Sequence, residues 1–418
     1  MKRSSSAALL GAGAVLALAL AGCGGGSTPA GGGGSNAASS TPGVTSTEIV
    51  FGANTPFDGP AAAYHYINEG AAAYFDYVND HGGVYGRKIR YILLNDSYDP
   101  SKTVQVAKQL VEQDHVFSMV GTLGTPTTEA EMPYLQQNHV PDVAIETGSK
   151  SWEVPFKPDW FGLETNYTVE GELDAWFAVN YLHAHRIAVW YQNDDFGGEL
   201  LAGLKMGLQK YANGTAQIVT QVPYEVTETN FTPDATQVNS QHPDLVVLYG
   251  VPGPTAQYVK AQYNAGFRPP HQLVTYVSND PSMPVNAGPG WNGMYAGAWL
   301  QLLSENTPQM QTFKQAMAKY FPSVTEMNFA EAGWVDGQVV VEALRLAGKN
   351  LTHQTFIQGM EKIHNFTDTL AAGPVNYSPT EHWGFDGLYF VQWVNQNGQW
   401  VENPVTQTKF LPDPYAKK

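Results

Sequence analysis

Two short runs bring chemically capable side chains close together. His183-Ala184-His185 sets imidazoles at i and i+2, which share a face on a strand, so the pair could hold a metal ion. No third ligand lies nearby, however, and a surface pair ahead of a strand explains it better. Asp194-Asp195 sets two carboxylates side by side. Neighbours in sequence point apart, so these suit the cap of a helix opening at Gly197 or Gly198. Neither His-Glu-x-x-His nor Gly-x-Ser-x-Gly occurs, which removes the zincin helix and the nucleophile elbow. The chain has one cysteine, Cys23, placed where it serves export rather than catalysis. The residues predict a binder, not an enzyme, with no cofactor and no metal.

Binding chemistry gathers instead in loops that follow apolar runs. Gly121-Thr122-Leu123-Gly124-Thr125-Pro126-Thr127 follows one such run and opens a helix. Its amides and hydroxyls suit a carboxylate at a positive helix end; plain capping by Thr125 is the alternative. Glu146-Thr147-Gly148 comes directly after Ile145, and Tyr191-Gln192-Asn193-Asp194-Asp195-Phe196-Gly197 closes a third run. Open α/β sheets hold their ligands at such strand ends.

The elements that must position these loops alternate in type. Strands are expected at Ile49–Gly52, Ile89–Leu94, Val116–Val120 and Val140–Ile145. A helix with Ile67, Ala71, Phe75 and Val78 on one face lies between the first two, stopped at His81-Gly82-Gly83. Asp99-Pro100 starts another, with Val104, Ala107, Leu110 and Val111 turned inward. After a Trp/Pro-rich break the pattern restarts: strands at Ile187–Tyr191, Ala216–Val222, Leu245–Leu248 and Leu273–Val277, with helices at Gly198–Tyr211 and Thr255–Ala265. An extended segment at Gly293–Leu300 precedes helices from Pro308, from Phe329 and over Phe356–Ile363; the end reads as a hairpin turning at Asn395–Gly398. The fold class predicted is α/β, two lobes with parallel sheets.

Composition fixes the setting. The chain carries 22 Lys+Arg against 38 Asp+Glu, a net charge of −16, which argues against nucleic acid and against an anionic membrane surface. With 22 Tyr, 18 Phe and 10 Trp, some rings are free to line a cleft. A basic start (Lys2, Arg3), an apolar run from Ala7 to Ala21 and Leu20-Ala21-Gly22-Cys23 form the layout of an export signal. The last four residues resemble the bacterial lipobox, which implies removal of residues 1–22 and a lipid on Cys23. Residues 23–46, rich in Gly, Ser, Ala, Thr and Pro, read as a flexible linker. The expected location is outside the cytoplasm, anchored to the cell membrane.

Asn79-Asp80-His81-Gly82-Gly83-Val84-Tyr85-Gly86-Arg87-Lys88-Ile89, Gly121–Thr127 and Tyr191–Gly197, in this order, resemble the leucine/isoleucine/valine-binding family of periplasmic proteins, the type I solute-binding proteins of ABC importers. The resemblance spans roughly residues 47–401. It implies two Rossmann-like lobes, residues 47–163 with 299–375 and residues 164–298 with 376–418. Three crossovers would fall near Phe161–Thr165, Ala296–Trp299 and Pro374–Phe385. It also implies a monomer that captures a small solute for an ABC permease, or a sensor lobe built on the same fold. Position by position, Tyr64 matches a pocket tyrosine. Thr122, Leu123, Gly124 and Thr125 match the carboxylate turn, and Thr147, beside Ile145 and Glu146, matches a ligand-binding threonine. Phe196 stands where the family has Tyr, while Tyr249 and Asn279 sit where the second lobe contributes. A family Glu that meets the ligand's ammonium is missing near Asn279, leaving Asp280 or Glu146 to substitute. A branched-chain or other amino acid is the expected solute, with an aromatic or aliphatic acid or an amide as alternatives.

Overall fold

A computed structural model describes residues 41–411. The signal segment 1–22, Cys23 and the linker up to Ser40 lie outside the described residues. The expected linker extends to residue 46, yet the folded body already begins at Thr41: Val44 bridges Ile49, and the Val50 amide donates to Gly43 O at 2.8 Å.

The chain opens with β1 (Glu48–Thr55), α1 (His65–Asp80), β2 (Lys88–Asn95), α2 (Pro100–Glu112), β3 (Ser118–Val120), α3 (Thr125–Gln137), β4 (Asp142–Ile145) and β5 (Trp160–Gly162). It continues through α4 (Tyr167–Asn180), β6 (Arg186–Gln192), α5 (Asp195–Tyr211), β7 (Gln217–Tyr224), α6 (Thr232–Ser240), β8 (Leu245–Tyr249), α7 (Pro252–Asn264), β9 (His271–Val274), α8 (Ser282–Ala287) and β10 (Tyr295–Ala298). It ends with α9 (Pro308–Tyr320), α10 (Met327–Ala347), α11 (His353–Glu361), β11 (Gly387–Gln396), β12 (Gln399–Pro404) and β13 (Lys409–Phe410).

One sheet has the order β2-β1-β3-β4-β5, parallel throughout. The other runs β12-β11-β10-β9-β8-β6-β7, parallel except where β11 joins β10 and β12. The chain moves from the first layer to the second after β5, returns after β10 to lay α9 and α10 beside α1 and α11 against α10, and goes back at β11.

Alternation along each buried strand sorts side chains between two helix layers. Ile49 and Phe51 point to the cluster holding Phe75 and Val335, while Val50 meets Val106, Leu110 and Met132 on the opposite face. In the second sheet, Ile187 and Val189 face Leu200 and Leu204, whereas Trp190 stacks on Tyr224 with ring centroids 4.0 Å apart.

Caps set where the helices start. Asp99 accepts from the amides of Ser101 and Lys102, with Pro100 in the first turn, and Asp194 accepts from Gly197 N. The α5 helix therefore begins at Asp195, three residues ahead of its expected start. The hairpin turns at Asn397-Gly398, both left-handed (φ 55° and 91°), as a tight two-residue connection demands. The strand expected over Leu273–Val277 stops at Val274, and Tyr276–Ser278 turn into a short 3-10 helix. Glu170 of α4 causes this, accepting from Thr275 Oγ1 at 3.0 Å and Tyr276 N at 2.9 Å.

Candidate functional site

A cavity lies where the strand ends of the two sheets face each other. Leu123 and Gly124 reach it beyond β3, Glu146 beyond β4, Phe196 at the start of α5, and Val277 and Asn279 beyond β9. Helices α1 and α10 close one side with Tyr64 just ahead of α1 and with Asn328 and Phe329. Their positions depend on a close helix crossing. A Cβ on Gly70 would stand 1.9 Å from Ala330 O, and one on Gly333 would stand 1.6 Å from Ile67 O. Only glycine lets these two backbones meet.

Of the twelve binding residues expected from sequence, six line the cavity: Tyr64, Leu123, Gly124, Glu146, Phe196 and Asn279. The other six have different partners. Thr122 Oγ1 donates to Asp142 at 2.7 Å, behind β3. The Thr125 and Thr147 hydroxyls bond each other at 2.6 Å in the interior. Ile145 points from the last position of β4 into the core beside Trp152 and Trp160. Tyr249 is fully buried, its hydroxyl donating to Asp174 at 2.9 Å. Asp280 accepts from the Asn328 and Phe329 amides at 3.0 and 3.3 Å, so it caps α10 rather than facing a solute. At the start of α3, Gly124 occupies the cap with φ 86° and no side-chain cap bond forms. Thr125 is already helical there, so the plain capping it offered in sequence is not used.

Several wall residues were not singled out in the sequence. Glu164 follows β5, Trp299 follows β10, Tyr389 comes from β11 and Glu402 from β12. Glu164 alone carried a signal, an acid within the apolar run Phe161-Gly162-Leu163. The rest arrive on strands that return late in the chain, beyond the reach of local patterning.

Electrostatically the cavity is one-signed. Glu146, Glu164 and Glu402 line it, and among the described residues no Lys, Arg or His does. Burial pushes the Glu146 carboxyl up to about 7 and drives Glu164 and the adjacent Asp336 of α10 upward as well. With these acids ionised, Glu146 Oε1, Glu164 Oε1 and both Asp336 oxygens have no hydrogen-bond donor. Unpaired buried charge is costly, so the group either keeps protons or receives a cation. Around it stand aromatic faces: Tyr64 edge-on to Phe329 at 5.5 Å and Tyr167 edge-on to Phe196 at 5.0 Å.

Hydrogen bonds also join the two layers. Tyr64 Oη donates to Val277 O at 3.1 Å, and Lys150 N and Ser149 Oγ donate to Glu199 of α5 at 3.0 and 3.2 Å. Together with the Asp280 cap, these hold the two layers around the cavity.

The periplasmic binding protein family matches residues 48–399, and the chain belongs to that family. An amino acid binding protein of Pseudomonas aeruginosa is 25% identical over 238 residues, covering 54% of this chain and 62% of that protein. In fold, the chain is similar to a possible leucine/isoleucine/valine-binding protein from Rhodopirellula baltica (TM-score 0.77, 19% identity, 88% of this chain and 98% of that one). It is also similar to a fatty acid ABC transporter substrate-binding protein from Thermomonospora curvata (TM-score 0.76, 20% identity, 88% and 94%). The two layers are thus those of a type I periplasmic binding protein.

Proposed function

We propose that this chain is the lipid-anchored, extracytoplasmic solute-binding subunit of an ABC importer. Its two lobes, residues 47–163 with 299–375 and 164–298 with 376–418, close on a small amine-bearing solute, an amino acid first among candidates. The observation that carries this reading is the buried Glu146–Glu164 pair on the cavity wall with no cationic side chain beside it. An ammonium there supplies both the missing positive charge and the missing donors. Leu123 and Gly124, at the start of α3, offer the positive end of a helix to a carboxylate at the other pole of the same solute. The aromatic faces accept its apolar body.

Calorimetric titration of phenylalanine against phenylpropionate, on wild type and Glu146→Gln, tests this. A hydrogen bond to a charged partner is worth about 1.5–3 kcal/mol, so the amino acid is expected to bind roughly tenfold or more tightly. The substitution should erase most of that advantage. Equal binding of the amine-free acid, unaffected by the substitution, would point instead to an aliphatic or aromatic acid.

A further inference from the structure

The cavity has a second acidic pole, apart from Glu146 and Glu164. Helix α10 passes along the wall, and its Asn328 and Asp336 lie eight residues apart, about 12 Å along the axis. Asp336 belongs to the Glu146–Glu164 end, acted on by both of those carboxylates. Asn328 belongs to the other end, where Glu402 stands. There, Asn279 Nδ2 donates to Glu402 Oε1 at 2.8 Å, Asn279 Oδ1 is held by Trp393 Nε1 at 2.7 Å, and Asn328 Nδ2 donates to Asn279 O at 3.1 Å. These bonds consume both functional atoms of the Asn279 amide and fix Glu402 at the wall. They leave Asn328 Oδ1 without a donor, although Asn328 lines the cavity and is only 9% exposed. Glu331 lies fully buried on the same helix, both oxygens unpartnered, and the charge of Glu402 acts on it. Between the poles the wall is apolar, formed by Phe329, Ala332, Tyr64 and Trp299.

An α-amino acid with a hydrocarbon side chain offers one ammonium and so matches one pole only. A hydroxyl at the second pole would satisfy Asn328 Oδ1 but leave Glu402, whose carboxyl burial pushes up, to keep a proton or stand as an uncompensated charge. We propose that the captured solute is dibasic, with one amino group bound by Glu146 and Glu164 and a second by Glu402 and Asn328 Oδ1, its methylene chain lying against the aromatic wall. This inference rests on the amine-binding reading above and adds the second cation to it.

The test is calorimetry of the full chain at pH 7.5 with paired probes that differ only in the terminal amine. L-norleucine is set against L-lysine, and n-alkylamines of four to eight carbons against the corresponding α,ω-diamines. At least one dibasic probe is expected to bind tenfold or more tightly than its monobasic partner. Glu402→Gln should bring that ratio close to one, and Glu402→Asp, which keeps the charge, should retain a preference for the dibasic partner. Thermal unfolding of both unliganded variants checks that they fold. A panel in which no dibasic probe outbinds its partner overturns the inference, as does a preference that survives Glu402→Gln. Tight binding of L-norleucine with no gain for L-lysine leaves the amine-binding reading standing and removes only the second pole. Binding confined to amine-free acids removes both.

Discussion

At the residue scale, the buried acids decide how this molecule responds to pH. Glu146 follows β4, Glu164 follows β5 and Asp336 lies on α10. The groups acting on them are one another, Glu170 of α4 and Tyr276, and they act in turn on Tyr91 of β2 and Tyr377; none of these groups is cationic. Burial holds the folded-state titration of Glu146 near 7, above the ordinary glutamate value of about 4.3. The folded chain therefore keeps protons that the unfolded chain releases in this interval. The stabilisation is complete below the unfolded value and is lost as pH rises through the folded one. Glu131, Asp142, Glu170 and Asp174, also raised by burial, act in the same direction. The unliganded protein is expected to melt higher at pH 5 than at pH 8 in scanning calorimetry. Extra stabilisation by a saturating amine should grow over the same range, because a cation needs the ionised acids. A melting temperature that climbs with pH would contradict this. Glu146 was legible in the sequence as an acid at a strand end. Thr147 and Tyr249 were equally conspicuous, but period-2 alternation and the α4 helix turn their hydroxyls toward Thr125 and Asp174, a choice of face that composition does not encode.

At the element scale, glycines set helix spacing in both layers. Gly70 and Gly333 join α1 to α10, and Gly171 and Gly203 join α4 to α5, where an added Cβ would stand 2.2 Å from Leu200 O and 2.4 Å from Thr168 O. Gly333→Ala gains helix propensity of up to about 1 kcal/mol but drives a methyl onto the Ile67 carbonyl. The net expectation is a loss of about 1–3 kcal/mol in urea unfolding, with weaker solute binding as α10 shifts. Gly198→Ala is the control: it lies within α5 with nothing inside 4 Å of the new Cβ, and should stabilise by about 0.4–1 kcal/mol. No change at Gly333 would mean the helices separate without cost. The strand–helix alternation was readable because buried parallel strands are continuous apolar runs bounded by turns. Helix α4 escaped that reading because it is buried nearly all round, with Glu170 and Asp174 turned inward among Leu173 and Phe177. It presents no polar stripe to set a period. Helix α6 had a start signal in Thr232-Pro233-Asp234 but buries only Ala235 and Val238, too few positions to reveal a face.

At the scale of the whole molecule, the proposed function requires that the two layers part and meet around the cavity. Among the bonds between them, that from Tyr64 to Val277 O joins two residues of the cavity wall. Tyr64→Phe removes the donor to Val277 O while keeping the ring against Phe329. One hydrogen bond is worth about 0.5–1.5 kcal/mol, which should favour the open form and speed solute release several-fold in stopped-flow measurements. An unchanged off-rate would show that closure does not use this bond. The two-layer plan was visible in the repeated α/β pattern, and the return of residues 376–418 to the second lobe followed from the family resemblance, whereas the pairing of Glu402 with Asn279 was not visible, since nothing local links them. The most direct test of the account is a crystal structure of the chain with the tightest ligand from the paired titrations. The expected result is a solute enclosed between the two sheets, with an amino nitrogen within hydrogen-bonding distance of Glu146 or Glu164. A solute bound outside this cavity, or one whose carboxylate rather than amine meets those two acids, would contradict it.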